Sequence, residues 1–263
     1  MTALLDQLAS WPVPNAAAAV VSEFGVLATW GDVLRPYPLA SVTKPLAALA
    51  TLVAVEEGAL ELSDPIGDEA LAAELPGATL RHLLAHASGI GPDNRRRAAQ
   101  PGTRRIYSNA GFDVIGEMVS NATEMPFADY VRSAVFSPLR MSSAVLDGSP
   151  ASEGVASISD LTAVLTELLA PSGLLHPSTL EAVRTVQFAG LPGVLPGYGG
   201  QQHNDWGLGF EIRADKDPHW TSTRNSPATY GHFGRSGTMM WVDPDAQLAL
   251  VALTDRDFDE WAR

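Results

Sequence analysis

The feature that most constrains the fold is an uninterrupted apolar run in the first quarter of the chain. From Leu46 to Val55 every residue is Ala, Leu, Val or Thr, and two glutamates and Gly58 follow. A run of this length without a polar face predicts a helix buried on all sides, and Gly58 suits the position just beyond its C-terminus. Pro45 is tolerated only in a first helical turn, so we expect the helix to begin at about Ser41.

Ser41 and Lys44 are three residues apart, which predicts that they share one helical face with Cβ atoms about 5–6 Å apart. A serine hydroxyl becomes a good nucleophile when a base removes its proton, and a lysine amine is such a base when burial lowers its pKa. The chain has two lysines, Lys44 and Lys216, against fifteen arginines, so a titratable amine at this position is notable. The structural alternative is a capped helix start with a lysine that extends to solvent.

Composition excludes several classes of function. The net charge of −13 argues against nucleic acid as a partner. The absence of cysteine excludes disulfides, thiolate catalysis and cysteine–zinc sites. No apolar stretch of about 18 residues predicts a membrane span. The first residues lack the positive charge and apolar core of a secretory signal, so we expect a cytoplasmic protein.

Secondary-structure signals divide the chain into strands, then helices, then strands again. A short helix is expected at residues 3–10 and a hairpin at 16–21 and 26–30. Helices are expected at 79–85, 110–122, 127–136, 160–169 and 179–186, and a long mobile loop at 191–202. Strands are expected at 206–213, 230–233, 238–242 and 248–254, with a turn at 243–246.

This order predicts an α/β fold of the α+β type. We expect a mainly antiparallel sheet, built from both chain ends and flanked by helices, with a helical lobe inserted between its two halves. Residues 1–60 and 203–263 would form the discontinuous sheet domain, and residues 61–202 the mainly helical domain. A functional site is expected between the two, where pockets tend to form.

Two further segments carry chemically competent residues. Residues 107–109 read Tyr-Ser-Asn before a predicted helix, and residues 231–237 read Gly-His-Phe-Gly-Arg-Ser-Gly on a predicted strand. With Ser41-x-x-Lys44 first, Tyr-x-Asn second and His-x-Gly third, the chain resembles the serine β-lactamase and penicillin-binding-protein superfamily. The resemblance covers nearly the whole chain and is greatest to the branch of class C β-lactamases, DD-peptidases and related esterases.

The resemblance implies catalytic roles for three residues. Ser41 would be the nucleophile that becomes acylated. Lys44 and Tyr107 would share proton transfer, with Tyr107 acting as a phenolate or as a relay to the leaving group. No metal ion or organic cofactor is implied.

It also implies four substrate-binding residues. Asn109 would hydrogen-bond the acyl side of the substrate, and His232 and Gly234 would line the pocket on the third-motif strand. The backbone N–H groups of Ser41 and Arg235 would form the oxyanion hole. The partner is therefore expected to be a small molecule, with no nucleic acid and no membrane involved; the oligomeric state stays open.

The third motif departs from that of true β-lactamases. Lysine and threonine are common where this chain has His232 and Phe233, and Phe233 cannot hydrogen-bond a substrate carboxylate. We therefore expect cleavage of an ester or small amide, with weak or no β-lactam turnover. A non-catalytic binding or scaffold protein, a peptidase for D-amino-acid peptides and a true β-lactamase are the alternatives. Relatives usually end with a longer helix that packs on the sheet. We expect this helix to be trimmed here or supplied by a partner.

Several of these residues also have structural interpretations. The structural interpretation of Tyr107 is a tyrosine packed in the core, that of Asn109 is a helix cap, and that of His232 is a histidine at a strand edge without a catalytic part. His82 and His86 have the i, i+4 spacing of zinc proteases, but Leu83 stands where the general-base glutamate should be, which argues against a metal site. Five arginines lie close before the second motif and indicate either a solvated loop or a surface that steers anions: Arg95, Arg96, Arg97, Arg104 and Arg105.

Overall fold

The sheet at the centre of the fold is built from both chain ends, as the order of the segments predicts. The computed structural model describes residues 5–259 and 261. The strands in this part of the chain are β1 (Ala16–Ser22), β2 (Gly25–Gly31), β3 (Tyr37–Pro38), β4 (Val145–Leu146), β5 (Gly154–Ala156), β6 (Gly193–Leu195), β7 (Gly199–Gln201), β8 (Glu211–Ile212), β9 (Tyr230–Gly234), β10 (Thr238–Asp243) and β11 (Leu248–Thr254). Six of them form one antiparallel sheet in the order β2-β1-β11-β10-β9-β8.

Helices cover this sheet and fill the middle of the chain. Those in the described residues are α1 (Thr43–Glu56), α2 (Glu69–Glu74), α3 (Leu80–Leu84), α4 (Asn109–Thr123), α5 (Phe127–Val131), α6 (Ile158–Leu169) and α7 (Pro177–Arg184). A 3₁₀ turn spans Asp6–Ser10, where a helix over residues 3–10 is expected; residues 3 and 4 lie outside the described range. A π-helical turn, Arg132–Phe136, extends α5. Of the helices in the described residues, none has the length and apolarity needed to cross a bilayer.

The buried apolar helix is confirmed as α1. Its side chains from Thr43 to Leu52 are all buried, and it contacts both α4 and strand β9. Gly58, just beyond its end, has φ of 77°, a left-handed conformation that glycine adopts without steric cost. On the other part of the sheet, α6 packs against β1 and β11. Helix α1 therefore links the sheet to the helical part of the core.

Two predicted segments differ from the structure. The expected mobile loop at 191–202 contains the short antiparallel hairpin β6–β7. The expected strand at 206–213 is mostly a tight turn, and only Glu211 and Ile212 join the sheet. The reason is close packing of glycine: a Cβ on Gly207 would lie 1.8 Å from the carbonyl oxygen of Val183, and one on Gly209 would lie 2.1 Å from Cβ of Ala48. The division into a sheet domain and a helical domain stays a prediction.

Candidate active site

Ser41 lies in a single 3₁₀ turn, Ala40–Val42, that leads into α1. Ala40, the residue before it, has φ of 45°, which is costly for a residue with a Cβ and is often found near functional sites. The end of β9 packs against this turn, because a Cβ on Gly234 would lie 2.4 Å from the carbonyl oxygen of Leu39 and 3.0 Å from the backbone nitrogen of Ser41. Glycine is therefore required where the third motif meets the first.

Lys44 is fully buried beneath Ser41. Its Nζ lies 3.4 Å from Oγ of Ser41, and it donates hydrogen bonds to Oδ1 of Asn109 (2.7 Å) and to the carbonyl oxygen of Ala151 (2.9 Å). Burial lowers the pKa of Lys44 to about 7, although Asp113 and Asp93 partly oppose the shift. A neutral amine has two N–H groups and one lone pair, so the two acceptors leave the lone pair for the Ser41 hydroxyl.

Asn109 begins α4, and Ser108 rather than Asn109 is the cap of that helix. Oγ of Ser108 accepts a hydrogen bond from the Gly111 nitrogen at 2.9 Å. The Asn109 amide is held at both ends, because its Nδ2 donates to Asp93 (2.7 Å) while its Oδ1 accepts from Lys44. Asn109 thus orients the lysine amine, and its predicted contact with the acyl side of a substrate stays a prediction.

The hydroxyl of Tyr107 is buried and lies near the hydroxyl of Ser41. Burial raises the pKa of Tyr107; the nearby Ser41 hydroxyl lowers this pKa by a smaller amount, and the charge of Asp93 raises it slightly further. Nζ of Lys44 lies 4.6 Å from the centroid of the ring. The phenol is therefore protonated at neutral pH, which fits a neutral relay and disfavours a phenolate.

His232 is buried on β9 and stays neutral. Its Nδ1 donates to the carbonyl oxygen of Phe233 at 2.7 Å, so its Nε2 carries a lone pair. Burial, with the charge of Lys44, lowers the pKa of His232 to about 3. The ring centroid lies 5.8 Å from that of Tyr107 and 5.5 Å from that of Trp206. His232 can thus accept a hydrogen bond in the pocket but cannot supply a positive charge.

His86 is a buried residue at this site that sequence reasoning did not assign. Its ring packs between Tyr107 and Trp206, with centroid distances of 4.7 and 4.5 Å. Its Nδ1 accepts a hydrogen bond from the Ser108 nitrogen at 3.1 Å, which fixes the backbone of the second motif. Its position directly after the helix predicted at 79–85 is the signal that was available.

The geometry also argues against the zinc-protease spacing of His82 and His86. Helix α3 ends at Leu84, and His86 has φ of 53°, so the two histidines do not share a helical face. Nδ1 of His82 instead accepts a hydrogen bond from the backbone of Thr79 (3.3 Å) at the start of α3. In residues 5–259 and 261, no group of three or more His, Asp or Glu side chains is arranged to hold a metal ion.

The arginine-rich segment is only partly a solvated loop. Arg95 is partly exposed and pairs with Glu117 and, at 3.9 Å, with Asp68. Arg105, by contrast, is buried, and burial lowers its pKa to about 10. Its side chain donates to the carbonyl oxygens of four residues: Ala85, Gln187, Phe188 and Asn204. Arg105 therefore fits neither of the two interpretations of this segment, a solvated loop or a surface that steers anions.

A cavity of about 680 Å³ opens at Ser41. Five of the predicted site residues line it: Ser41, Tyr107, Asn109, His232 and Arg235. Its other walls are largely apolar and include Leu195, Tyr198, Trp206, Trp220, Phe233, Met239 and Phe258. Lys44 lies beneath the cavity and Gly234 behind it. The structure therefore brings all three sequence motifs to one place.

A serine in the turn before a core helix, a buried lysine beneath it, and a cavity beside an antiparallel sheet define a β-lactamase/transpeptidase-like fold. The protein-family model described as Beta-lactamase matches residues 32–263 of this chain. The chain belongs to the Beta-lactamase family.

Individual relatives support this assignment. A solved structure described as a beta-lactamase from Mycobacterium bovis is 51% identical, with a TM-score of 0.93 over 98% of this chain and 93% of that one. Esterase EstB of Burkholderia gladioli is 32% identical over a match that covers 40% of this chain and 37% of the esterase. A Beta-lactamase of Escherichia coli is 26% identical over 58% of this chain and 48% of that protein. These matches span less than half the length of the two curated relatives.

Proposed function

We propose that this chain is a serine hydrolase that cleaves an ester or small amide through an acyl-enzyme on Ser41, with weak or no β-lactam turnover. The observation that carries the proposal is the buried amine of Lys44. Its Nζ lies 3.4 Å from Oγ of Ser41, and its pKa is lowered to about 7, so a large fraction is unprotonated at neutral pH. A base with a pKa near the working pH is well suited to activate a hydroxyl.

In the proposed reaction, Lys44 accepts the proton of Ser41 as Oγ forms a bond to the substrate carbonyl carbon. The backbone N–H groups of Ser41 and Arg235 stabilise the oxyanion, and loss of one such donor typically costs about 10²–10³-fold in rate. The bond to the leaving group then breaks. The leaving oxygen or nitrogen takes a proton from the Tyr107 hydroxyl. Lys44, which holds the proton taken from Ser41, then transfers that proton to the Tyr107 oxygen. Water then attacks the acyl carbon and gives a proton to Lys44, the bond between that carbon and Oγ of Ser41 breaks, and Lys44 returns the proton to Oγ as the acid product leaves.

Intact-mass measurement after incubation with p-nitrophenyl esters tests this proposal. We expect one acyl group to be added to the wild-type chain and none to Ser41→Ala, because the new bond is to Oγ of Ser41. A fluorophosphonate reagent should label the same residue. The matched control is Ser137→Ala, which changes an exposed serine and should acylate like the wild type. Acylation of Ser41→Ala, or of neither protein, would contradict the proposal, and the second outcome would favour a non-catalytic binding protein.

The pH dependence follows from the lowered pKa of Lys44. Because the unprotonated amine is the base, kcat/KM should rise with pH up to about 7 and level off above it. At two pH units below the pKa, the rate should be about 1% of the plateau value. The measurement is kcat/KM for a p-nitrophenyl ester from acid to mildly alkaline pH, corrected for spontaneous hydrolysis. A profile that is flat across neutral pH would show that another group is the base.

Hydrolysis of β-lactams is the second candidate, favoured by the description of the Mycobacterium bovis relative as a beta-lactamase. Phe233 argues against it, because its ring lines the cavity and cannot hydrogen-bond a carboxylate. Steady-state hydrolysis of nitrocefin beside a p-nitrophenyl ester separates the two candidates. A clear preference for the ester supports our proposal, and a clear preference for nitrocefin would replace it.

A further inference from the structure

An aromatic cluster centred on Phe233 forms one wall of the cavity. The ring centroid of Phe233 lies 5.6 Å from that of Trp220, 6.2 Å from that of Tyr198 and 6.3 Å from that of Phe258. All four rings line the cavity, although they come from hairpin β6–β7, the segment after β8, strand β9 and the segment after β11. We call these four residues the aromatic wall.

The carboxylate beside this wall is already neutralised. Glu211 lines the cavity but is almost fully buried, and it pairs with Nζ of Lys216. It also contacts Nε2 of His219 at 2.8 Å and accepts a hydrogen bond from Nε1 of Trp220 at 2.6 Å. Glu211 is therefore not available to bind a cationic ligand. Its hydrogen bond to the indole instead holds Trp220 in the aromatic wall.

The other charged residues along the cavity are also paired within the protein. The Arg235 side chain is 86% exposed and pairs with Asp257 at 3.1 Å. Asp259 pairs with Arg256 at 3.2 Å. Beneath the cavity, Lys44 is hydrogen-bonded to Asn109 and Ala151. In the described residues, each charged side chain that lines the cavity has an ion-pair partner within the protein, and a further charge buried against the aromatic rings would be unpaired, which is costly.

We propose that the active site selects neutral esters that carry an apolar substituent, which packs against the aromatic wall in contact with Phe233. This inference rests on the proposed function of Ser41 and specifies its substrate class. A cavity of about 680 Å³ is large enough for both halves of a small ester. The apolar substituent is therefore either the acyl group or the alcohol, and the experiment separates these two sources.

The test compares neutral and charged esters of matched shape. In the acyl arm, p-nitrophenyl hexanoate is compared with the anionic mono-p-nitrophenyl adipate. In the alcohol arm, S-(3,3-dimethylbutyl) thioacetate is compared with the cationic acetylthiocholine. We expect kcat/KM for the neutral member to be higher by about 10-fold or more in both arms, because a charge packed against the aromatic wall would be buried without a partner.

Variants of Phe233 identify the surface responsible. Phe233→Thr should narrow the neutral-to-charged ratio at least several-fold in the arm whose substituent contacts the wall, whereas Phe233→Leu should keep most of it. The matched control is Phe24→Thr, which makes the same change at a ring that is 90% exposed in the turn between β1 and β2. That control should leave both ratios unchanged. An unchanged ratio in folded Phe233→Thr would overturn the inference.

A binding arm separates this inference from the proposed function. The same four esters are titrated against Ser41→Ala, which cannot be acylated on that residue, and binding is followed by tryptophan fluorescence, since Trp206 and Trp220 line the cavity. Tighter binding of the neutral members supports the inference even if the wild-type chain forms no acyl-enzyme, a result that would reject only the proposed function. Equal or tighter binding of a charged member overturns the inference even if Ser41 is acylated.

Discussion

Replacing Lys44 by methionine should lower kcat/KM for a neutral p-nitrophenyl ester by about 10²–10⁴-fold, the range for loss of a general base. Methionine fills a similar volume but has no lone pair that can take the Ser41 proton at neutral pH. Lys44→Arg should be just as inactive, because a guanidinium keeps its proton under all ordinary conditions. Comparison of the two variants thus distinguishes a proton acceptor from a fixed positive charge.

The control for this experiment is the integrity of the fold. Lys44→Met removes hydrogen bonds to Asn109 and Ala151, so thermal unfolding and circular dichroism should accompany the kinetics. The exposed-serine variant Ser137→Ala provides the reference for an active, mutated chain. If Lys44→Arg retained most of the wild-type rate in a folded protein, the role of Lys44 would be electrostatic and a different base would be required.

Replacing Arg105 by methionine should lower the free energy of unfolding by about 3 kcal/mol or more. The side chain is buried and donates to carbonyl oxygens of four residues, Ala85, Gln187, Phe188 and Asn204. Hydrogen bonds from a charged group contribute about 1.5–3 kcal/mol each, and acceptors left buried without a donor add a penalty. Recovery of the cost of burying the guanidinium, which lowers the pKa of Arg105, offsets part of this loss.

Arg104→Met is the matched control, since it makes the same change one residue earlier at an exposed position. Its free energy of unfolding should stay within about 0.5 kcal/mol of the wild type. Urea unfolding followed by circular dichroism measures both variants. Arg105→Met should also raise KM, because Nε of Arg105 donates to the Asn204 carbonyl oxygen (3.0 Å), and Nδ2 of Asn204 donates to the carbonyl oxygen of Val194 (3.4 Å) in hairpin β6–β7, which supplies part of the cavity wall. Equal stability of the two variants would contradict the structural role of Arg105.

Local sequence patterns predict much of the architecture. The position of α1 follows, to within two residues at its start, from one apolar run with Pro45 near its beginning and Gly58 beyond its end, and apolar runs joined by turn residues predict the strands at both chain ends. The same reasoning is wrong at 206–213. That segment has strand-like composition, but its glycines pack directly against Val183 and Ala48, which are distant in sequence. Contacts of this kind leave no periodic signal.

The spacing Ser41-x-x-Lys44 by itself determines that a hydroxyl and an amine meet at the head of the core helix, because helical geometry depends only on near neighbours. Whether that amine is a base is decided only by the tertiary structure. Its pKa falls to about 7 because segments far away in the chain, including those of Asn109 and Ala151, exclude water from it. The protonated Tyr107, the neutral His232 and the buried Arg105 have the same origin, since desolvation is a property of the packed molecule.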